Sequence, residues 1–215
     1  MGLKLVVFDL DGTLVDSIED IAASLNYAIA TVGLKSLSSS SVVGLVGEGV
    51  GKLIERSLGS GLLHKKESVL KVFLSHYEAH MFDTTRPYDT VLETLAELLP
   101  YNMVVVSNKT EALSKLVIEK LNLSKYFRYV FGFDTFTKCK PSPMPVLKAM
   151  ELCGAAQDET IVVGDSSFDI EAGRRAGAKT VAVAYGYRAV ETLTAADYII
   201  REKLIELLPI VKSMQ

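Results

Sequence analysis

Five short runs of consecutive apolar, largely β-branched residues punctuate the chain: LKLVVF (3–8), MVVVS (103–107), YVFGF (129–133), TIVVG (160–164) and TVAVAY (180–185). Between most of them the period changes. TVLETLAELL (90–99), EALSKLVIEKL (111–121) and MPVLKAMELCG (144–154) repeat apolar residues at spacings of three and four, and FDIEAGRRAG (168–177) does so more weakly. Continuous apolar strands alternating with amphipathic helices predict βαβ units, hence a parallel sheet covered on both faces.

One stretch breaks this rhythm. From Ser17 to about Phe82 no strand is evident and two helical patterns dominate. IEDIAASLNYAIATVG (18–33) places Ile18, Ile21, Leu25, Ile29 and Val32 on one face, with Asp16 or Ser17 suited to cap its start and Gly33 its end. ESVLKVFLSHYEAHMF (67–82) sets Val69, Val72, Phe73, His76, Tyr77 and His80 at helical intervals. The first strand cannot form a domain alone and must pair with strands beyond residue 100, so the helical stretch reads as an insertion. The expected fold is α/β: a doubly wound parallel sheet with a Rossmann-like core (1–16 and 84–215) and an inserted α-helical cap domain (17–83). The cap is expected to be mobile over whatever the first strand ends on.

Composition narrows the function without choosing it. At 215 residues the chain can bury a sizeable core, and its 49% apolar and 23% charged content is that of an ordinary globular protein. A net charge of −3 gives no electrostatic reason to expect nucleic acid or an anionic membrane as partner. No window approaches the ~20 apolar residues of a membrane span, and the first apolar run is too short for a signal peptide. The two cysteines, Cys139 and Cys153, lack the spacing of a zinc site or a disulfide framework. A cytoplasmic protein, monomer or homodimer, is the expectation.

The chemistry lies where the strands end. In an open α/β sheet, ligands bind outside the carboxyl ends of the strands. Asp9 and Asp11 end the first strand, Ser107 and Asn108 the second, Lys140 follows the third, and Asp165, Ser166 and Asp169 end the fourth. Aspartates are common turn residues, but two carboxylates at the end of a buried strand need a compensating partner. Acids, a lysine and a hydroxyl on one edge suit a hard cation beside an anionic group, and all-oxygen ligands favour Mg²⁺. Lys138 competes with Lys140 for the cationic role.

In order, FDLDGTL (8–14), the Ser107–Asn108 pair, Lys140–Pro141 and GDSSFDI (164–170) resemble the four motifs of the haloacid dehalogenase-like hydrolase superfamily, helical cap included. The resemblance implies Asp9 as nucleophile toward phosphorus and Asp11 as general acid, then general base. It implies Mg²⁺ held by the Asp9 and Asp165 carboxylates and the Asp11 carbonyl, with Asp169 in support. Ser107 and the Asn108 amide would hold phosphate oxygens, Lys140, selected by Pro141, would stabilise charge, Gly12 would permit a tight backbone path, and Thr13 would position Asp11. An acid at position 11 argues for phosphoryl transfer, since dehalogenase and phosphonatase branches typically lack it. The implied partner is a small phosphorylated metabolite.

GLVGEGVGKL (44–53) is not a Walker A loop, because Val46 and Leu53 replace its first glycine and its hydroxyl, nor a dinucleotide fingerprint, because Lys52 replaces its third glycine. It reads as a loop between cap helices and resembles that of phosphoglycolate phosphatase-like members, with Gly47, Gly49 and Lys52 expected to face the active site and help choose the substrate. HYEAH (76–80) has two histidines a turn apart but no third ligand in view. TFTKCKPSP (135–143) and Ser166, where a threonine is often seen, depart from the branch's usual pattern. Pyrophosphatase, sugar-phosphate phosphatase, phosphomutase and a non-catalytic metabolite sensor stand as alternatives.

Overall fold

A computed structural model describes residues 2–214. In chain order the elements are β1 (Leu5–Phe8), β2 (Val15–Asp16), α1 (Ile18–Ala30), α2 (Ser39–Val43), α3 (Val50–Leu58), α4 (Lys66–His80), β3 (Arg86–Pro87), α5 (Val91–Glu97), β4 (Asn102–Val106), α6 (Glu111–Lys120), β5 (Tyr129–Phe131), α7 (Met144–Cys153), β6 (Thr160–Gly164), α8 (Ser167–Ala176), β7 (Lys179–Val183), β8 (Tyr198–Ile200) and α9 (Leu207–Ser213). Two compact units result, one of Met1–Val15 with Pro87–Gln215 and one of Asp16–Arg86.

The larger unit is built on a six-stranded sheet of order β5-β4-β1-β6-β7-β8. Every neighbouring pair is parallel. The chain winds outward from β1 through β4 to β5, then crosses back to β6 and winds the other way, so β1 lies at the switch point between β4 and β6. The continuous apolar runs follow from burial on both faces. Leu5 and Val7 join Val104, Val106, Val162, Val146, Met150 and Ala172 in one core cluster. The alternate residues Val6, Phe8, Val105 and Val163 are also fully buried. β8, with only Ile200 buried in three residues, has no apolar run long enough to read from sequence.

The smaller unit is helical, with α1 packed on α4. Ile21, Leu25 and Ile29 of α1 and Val69, Phe73 and Tyr77 of α4 are buried. α1 ends at Ala30, short of Gly33. Its first turn carries a buried acid, Asp20. That carboxylate accepts hydrogen bonds from the Thr84 N–H (3.0 Å) and hydroxyl (2.6 Å) and from the Thr85 N–H (2.8 Å) and hydroxyl (2.6 Å). The start of the unit is thus tied to its end.

Burial alone would raise the Asp20 carboxyl, but the donors of Thr84 and Thr85 outweigh it and hold it below the ordinary 3.8. Its folded-state pKa being depressed, its contribution is complete above the unfolded value and lost as pH falls through the folded one. Asp20→Ala should destabilise the protein by on the order of 2–3 kcal/mol at neutral pH, because four donors lose their acceptor. Denaturant melts of both proteins, followed from neutral pH down through 3.8, should show the gap narrowing with acid.

Candidate active site

The site is assembled where β1, β4 and β6 end. The Asp9 N–H still donates to the Val163 carbonyl (2.9 Å), so its Cα continues the ladder while its side chain leaves the sheet edge. The chain then turns sharply: Leu14 and Val15 both donate to the Leu10 carbonyl (2.9 and 3.0 Å). Gly12 makes this turn possible. Its φ is +85°, and a Cβ there would overlap the Asp165 carboxylate.

One buried ammonium organises the acids. Lys140 Nζ lies 2.8 Å from Asp9 Oδ1 and 2.6 Å from Asp169 Oδ1. The other Asp169 oxygen accepts from the Ser166 N–H (3.1 Å) and hydroxyl (2.5 Å), so serine supplies a hydroxyl where threonine is often seen. Asp165 Oδ2 accepts from the Tyr187 N–H (2.7 Å). Ser107 and Asn108 are buried at the end of β4, and Asn108 Nδ2 donates to the Lys140 carbonyl (3.0 Å). Lys138 is exposed. The sheet edge therefore brings together Asp9, Ser107, Asn108, Lys140, Asp165 and Asp169.

Electrostatics follow from this crowding. Burial, with Asp169 beside it, pushes Asp9 up to about 7 against the pull of Lys140. Burial, with Asp9 and Asp169 nearby, raises Asp165 well above the ordinary carboxyl range. Burial alone would lower Lys140, but Asp169 and Asp9 hold it above its ordinary value and keep it charged.

Thr13 was expected to position Asp11, yet its hydroxyl is buried and has no hydrogen-bond partner among the described residues. Lys109 holds the Asp11 carboxylate, its Nζ lying 3.0 Å from Oδ1 and 2.9 Å from Oδ2. Sequence reasoning passed over Lys109, although it directly follows the Ser107–Asn108 pair. It also passed over the loop after β7, where the Tyr185 hydroxyl donates to the Thr13 carbonyl (2.9 Å) and Tyr187 holds Asp165 through its backbone.

Gly47, Gly49 and Lys52 belong to the helical unit. The segment that carries them is not all loop. Gly49, at φ +83°, is the N-cap of α3, and Lys52 lies in that helix's first turn, paired with Glu55 at 2.8 Å. His76 and His80 stack at 4.3 Å, while His76 Nδ1 meets the Ser24 hydroxyl (3.0 Å) and His80 pairs with Asp83.

The haloacid dehalogenase-like hydrolase family matches residues 6–183. The chain belongs to this family. The hydrolase is 41% identical to a phosphoglycolate phosphatase of Aquifex aeolicus over 187 residues, 86% of each chain. It is 36% identical to that of Neisseria gonorrhoeae over 214 residues, 96% of this chain and 91% of that protein. Among solved structures, a predicted phosphoglycolate phosphatase from Haemophilus somnus superposes with a TM-score of 0.86 at 28% identity, over 97% of both chains. The hydrolase acts on phosphoric monoesters, and none of its described helices is long and apolar enough to cross a membrane.

A divalent metal, which such hydrolases commonly use, fits the residues present. Carboxylate oxygens of Asp9, Asp165 and Asp169 lie within 4.8 Å of one another. Three crowded acids lie around the ammonium of Lys140, and burial, with the neighbouring acids adding to it, raises the carboxyls of Asp9 and Asp165. A hard cation would relieve that crowding. The Asp11 carboxylate is not part of this cluster, in keeping with the expectation that Asp11 would offer its carbonyl.

Titrating a divalent cation into metal-free protein should raise Tm, and Asp165→Asn should remove most of the shift. A cation at a hundred times its dissociation constant contributes about 2.7 kcal/mol. Because burial pushes Asp9 up to about 7 and a bound cation requires its carboxylate form, the shift should grow as pH rises through that value and shrink below it. Thermal melts on either side of neutrality check the sign.

Proposed function

We propose that the hydrolase is a Mg²⁺-dependent phosphatase of small phosphomonoesters that works through an aspartyl-phosphate on Asp9, with 2-phosphoglycolate as its substrate. The observation that carries the mechanism is the 2.8 Å contact between Lys140 and Asp9, beside Ser107 and Asn108. A nucleophilic carboxylate, a fixed cation and a phosphate-holding strand end stand together. The substrate rests on the relatives from Aquifex aeolicus and Neisseria gonorrhoeae, which bear that activity in their names.

Asp9, Asp165 and the Asp11 carbonyl would hold Mg²⁺, with Asp169 in support. When bound, the ion would supply positive charge that offsets the repulsion between an anionic nucleophile and an anionic phosphoryl group. The Ser107 hydroxyl and the Asn108 amide hold phosphoryl oxygens, and Lys140 neutralises charge on the nucleophile and the group in flight. An Asp9 oxygen attacks phosphorus, the bond to the ester oxygen breaks, and Asp11 donates its proton to that oxygen, releasing the alcohol. A water then attacks the phosphorus of the aspartyl-phosphate and gives its proton to Asp11. The bond to Asp9 breaks, inorganic phosphate leaves, and both carboxyls return to their starting states.

Phosphate release should be measured from 2-phosphoglycolate, sugar phosphates, p-nitrophenyl phosphate and pyrophosphate, with Mg²⁺ and with chelator. The expected result is Mg²⁺-dependent turnover, highest on 2-phosphoglycolate, falling by roughly 10⁴ or more in Asp9→Asn. Preference for another panel member would replace the substrate and leave the mechanism. Activity that survives Asp9→Asn would remove the aspartyl-phosphate.

A further inference from the structure

The two acids of the first motif are held by different lysines. Lys140 takes Asp9, and Lys109 takes Asp11 through both carboxylate oxygens, at 2.9 and 3.0 Å. The second pair is well shielded, with side chains only 7% and 13% exposed. An ion pair so removed from water resists both solvent competition and salt.

The backbone beneath Lys109 is braced independently of that pair. Its N–H donates to the Ser107 hydroxyl (3.2 Å) and its carbonyl accepts from the Phe133 N–H (2.8 Å). Two residues on, the Glu111 N–H donates to Asp134 Oδ1 (2.7 Å). Gly132, at the end of β5, lies so close that a Cβ there would overlap the Glu111 nitrogen and the Thr110 carbonyl carbon. The turn after β4 is therefore clamped by the turn after β5, and the lysine that leaves it starts from a fixed point.

We infer that Lys109 is a positioning residue for the reaction: its ammonium fixes the orientation of the Asp11 carboxyl group, so that in its protonated form it can give its proton to the leaving oxygen and, as the carboxylate so formed, take one back from water. The inference rests on the phosphatase reading above. The Thr13 hydroxyl makes no such contact, having no hydrogen-bond partner among the described residues. A carboxylate free to turn about its last bond spends part of its time misdirected, and proton transfer is sensitive to such misalignment. Lys109 acts through Asp11 and needs no contact with the phosphoryl group, which separates its role from that of Lys140.

The test compares Lys109→Met, Lys109→Arg, Asp11→Asn and the Asp11→Asn/Lys109→Met double variant, each checked for folding by circular dichroism. Each is assayed on an alkyl phosphate and on p-nitrophenyl phosphate, whose leaving group departs without a proton. Lys109→Met should lower kcat/KM on the alkyl ester by roughly 10–100-fold and on the aryl ester by less than about 3-fold, because only the former needs the acid. Lys109→Arg should restore most of the loss. In the double variant, removing Lys109 should cost nothing beyond Asp11→Asn, as expected of two residues acting as one unit.

Equal losses on both esters, or losses that add in the double variant, would show Lys109 acting on the phosphoryl group or on the fold, and would overturn the inference while the phosphatase reading stood. Unchanged activity in Lys109→Met would do the same. If Lys109→Met fails to fold, Lys109→Arg and the double variant, which leaves no buried charge unpaired, decide the matter by the same comparisons. Absence of turnover by wild-type protein on every ester would overturn both.

Discussion

The ammonium of Lys140, buried between Asp9 and Asp169, is the interaction on which the sheet edge depends. Without it, Asp9, Asp165 and Asp169 would crowd negative charge into a shielded space, where removing one partner of a buried pair costs about 3–5 kcal/mol. With it, Asp9 and Asp165 still sit above their ordinary range. Burial of three neighbouring acids keeps them there, and a bound cation would ease their mutual repulsion. Strongly perturbed acids of this kind cluster at functional sites.

The switch-point topology explains why these groups meet. β4 and β6 flank β1 but belong to oppositely wound halves of the sheet, so the loops leaving them part and open a crevice beyond Asp9. Each loop brings one kind of group: acids from β1, a hydroxyl and amide from β4, acids again from β6. Lys140, which follows the edge strand β5, reaches back to Asp9, and its carbonyl is held by Asn108. Placement is thus shared among four strand ends, and a shift in any one is resisted by hydrogen bonds to the next.

Most of the sheet was legible because strands buried on both faces must be continuously apolar. β8 escaped because three residues with one buried side chain carry no such signal. The start of α3 was hidden by glycines at 47, 49 and 51, which read as loop although Gly49 serves as a cap and Leu53, Ile54 and Leu58 form a buried stripe behind it. At the site, the acids were legible because charge at the end of a buried strand demands explanation. Lys109 was not, since a lysine beside a helix start reads as a solvated charge and its partner is 98 residues away in sequence. Tyr187 was illegible for a different reason: it holds Asp165 through a backbone N–H, which every residue but proline possesses.

The position of β1 has a consequence for how the molecule is made. Its register partners begin at Asn102 on one side and at Thr160 on the other. A chain emerging from the ribosome at about 5–20 residues per second therefore carries an apolar strand, unpaired on both edges, for many seconds before either neighbour exists. The helical unit, Asp16–Arg86, lies wholly within that interval, and both halves of its Asp20 clasp are in place once Thr84 and Thr85 have emerged. Folding of that unit brings the two ends of the insertion together and shortens the loop that β1 and β4 must close. The insertion thereby eases assembly of the core that carries it.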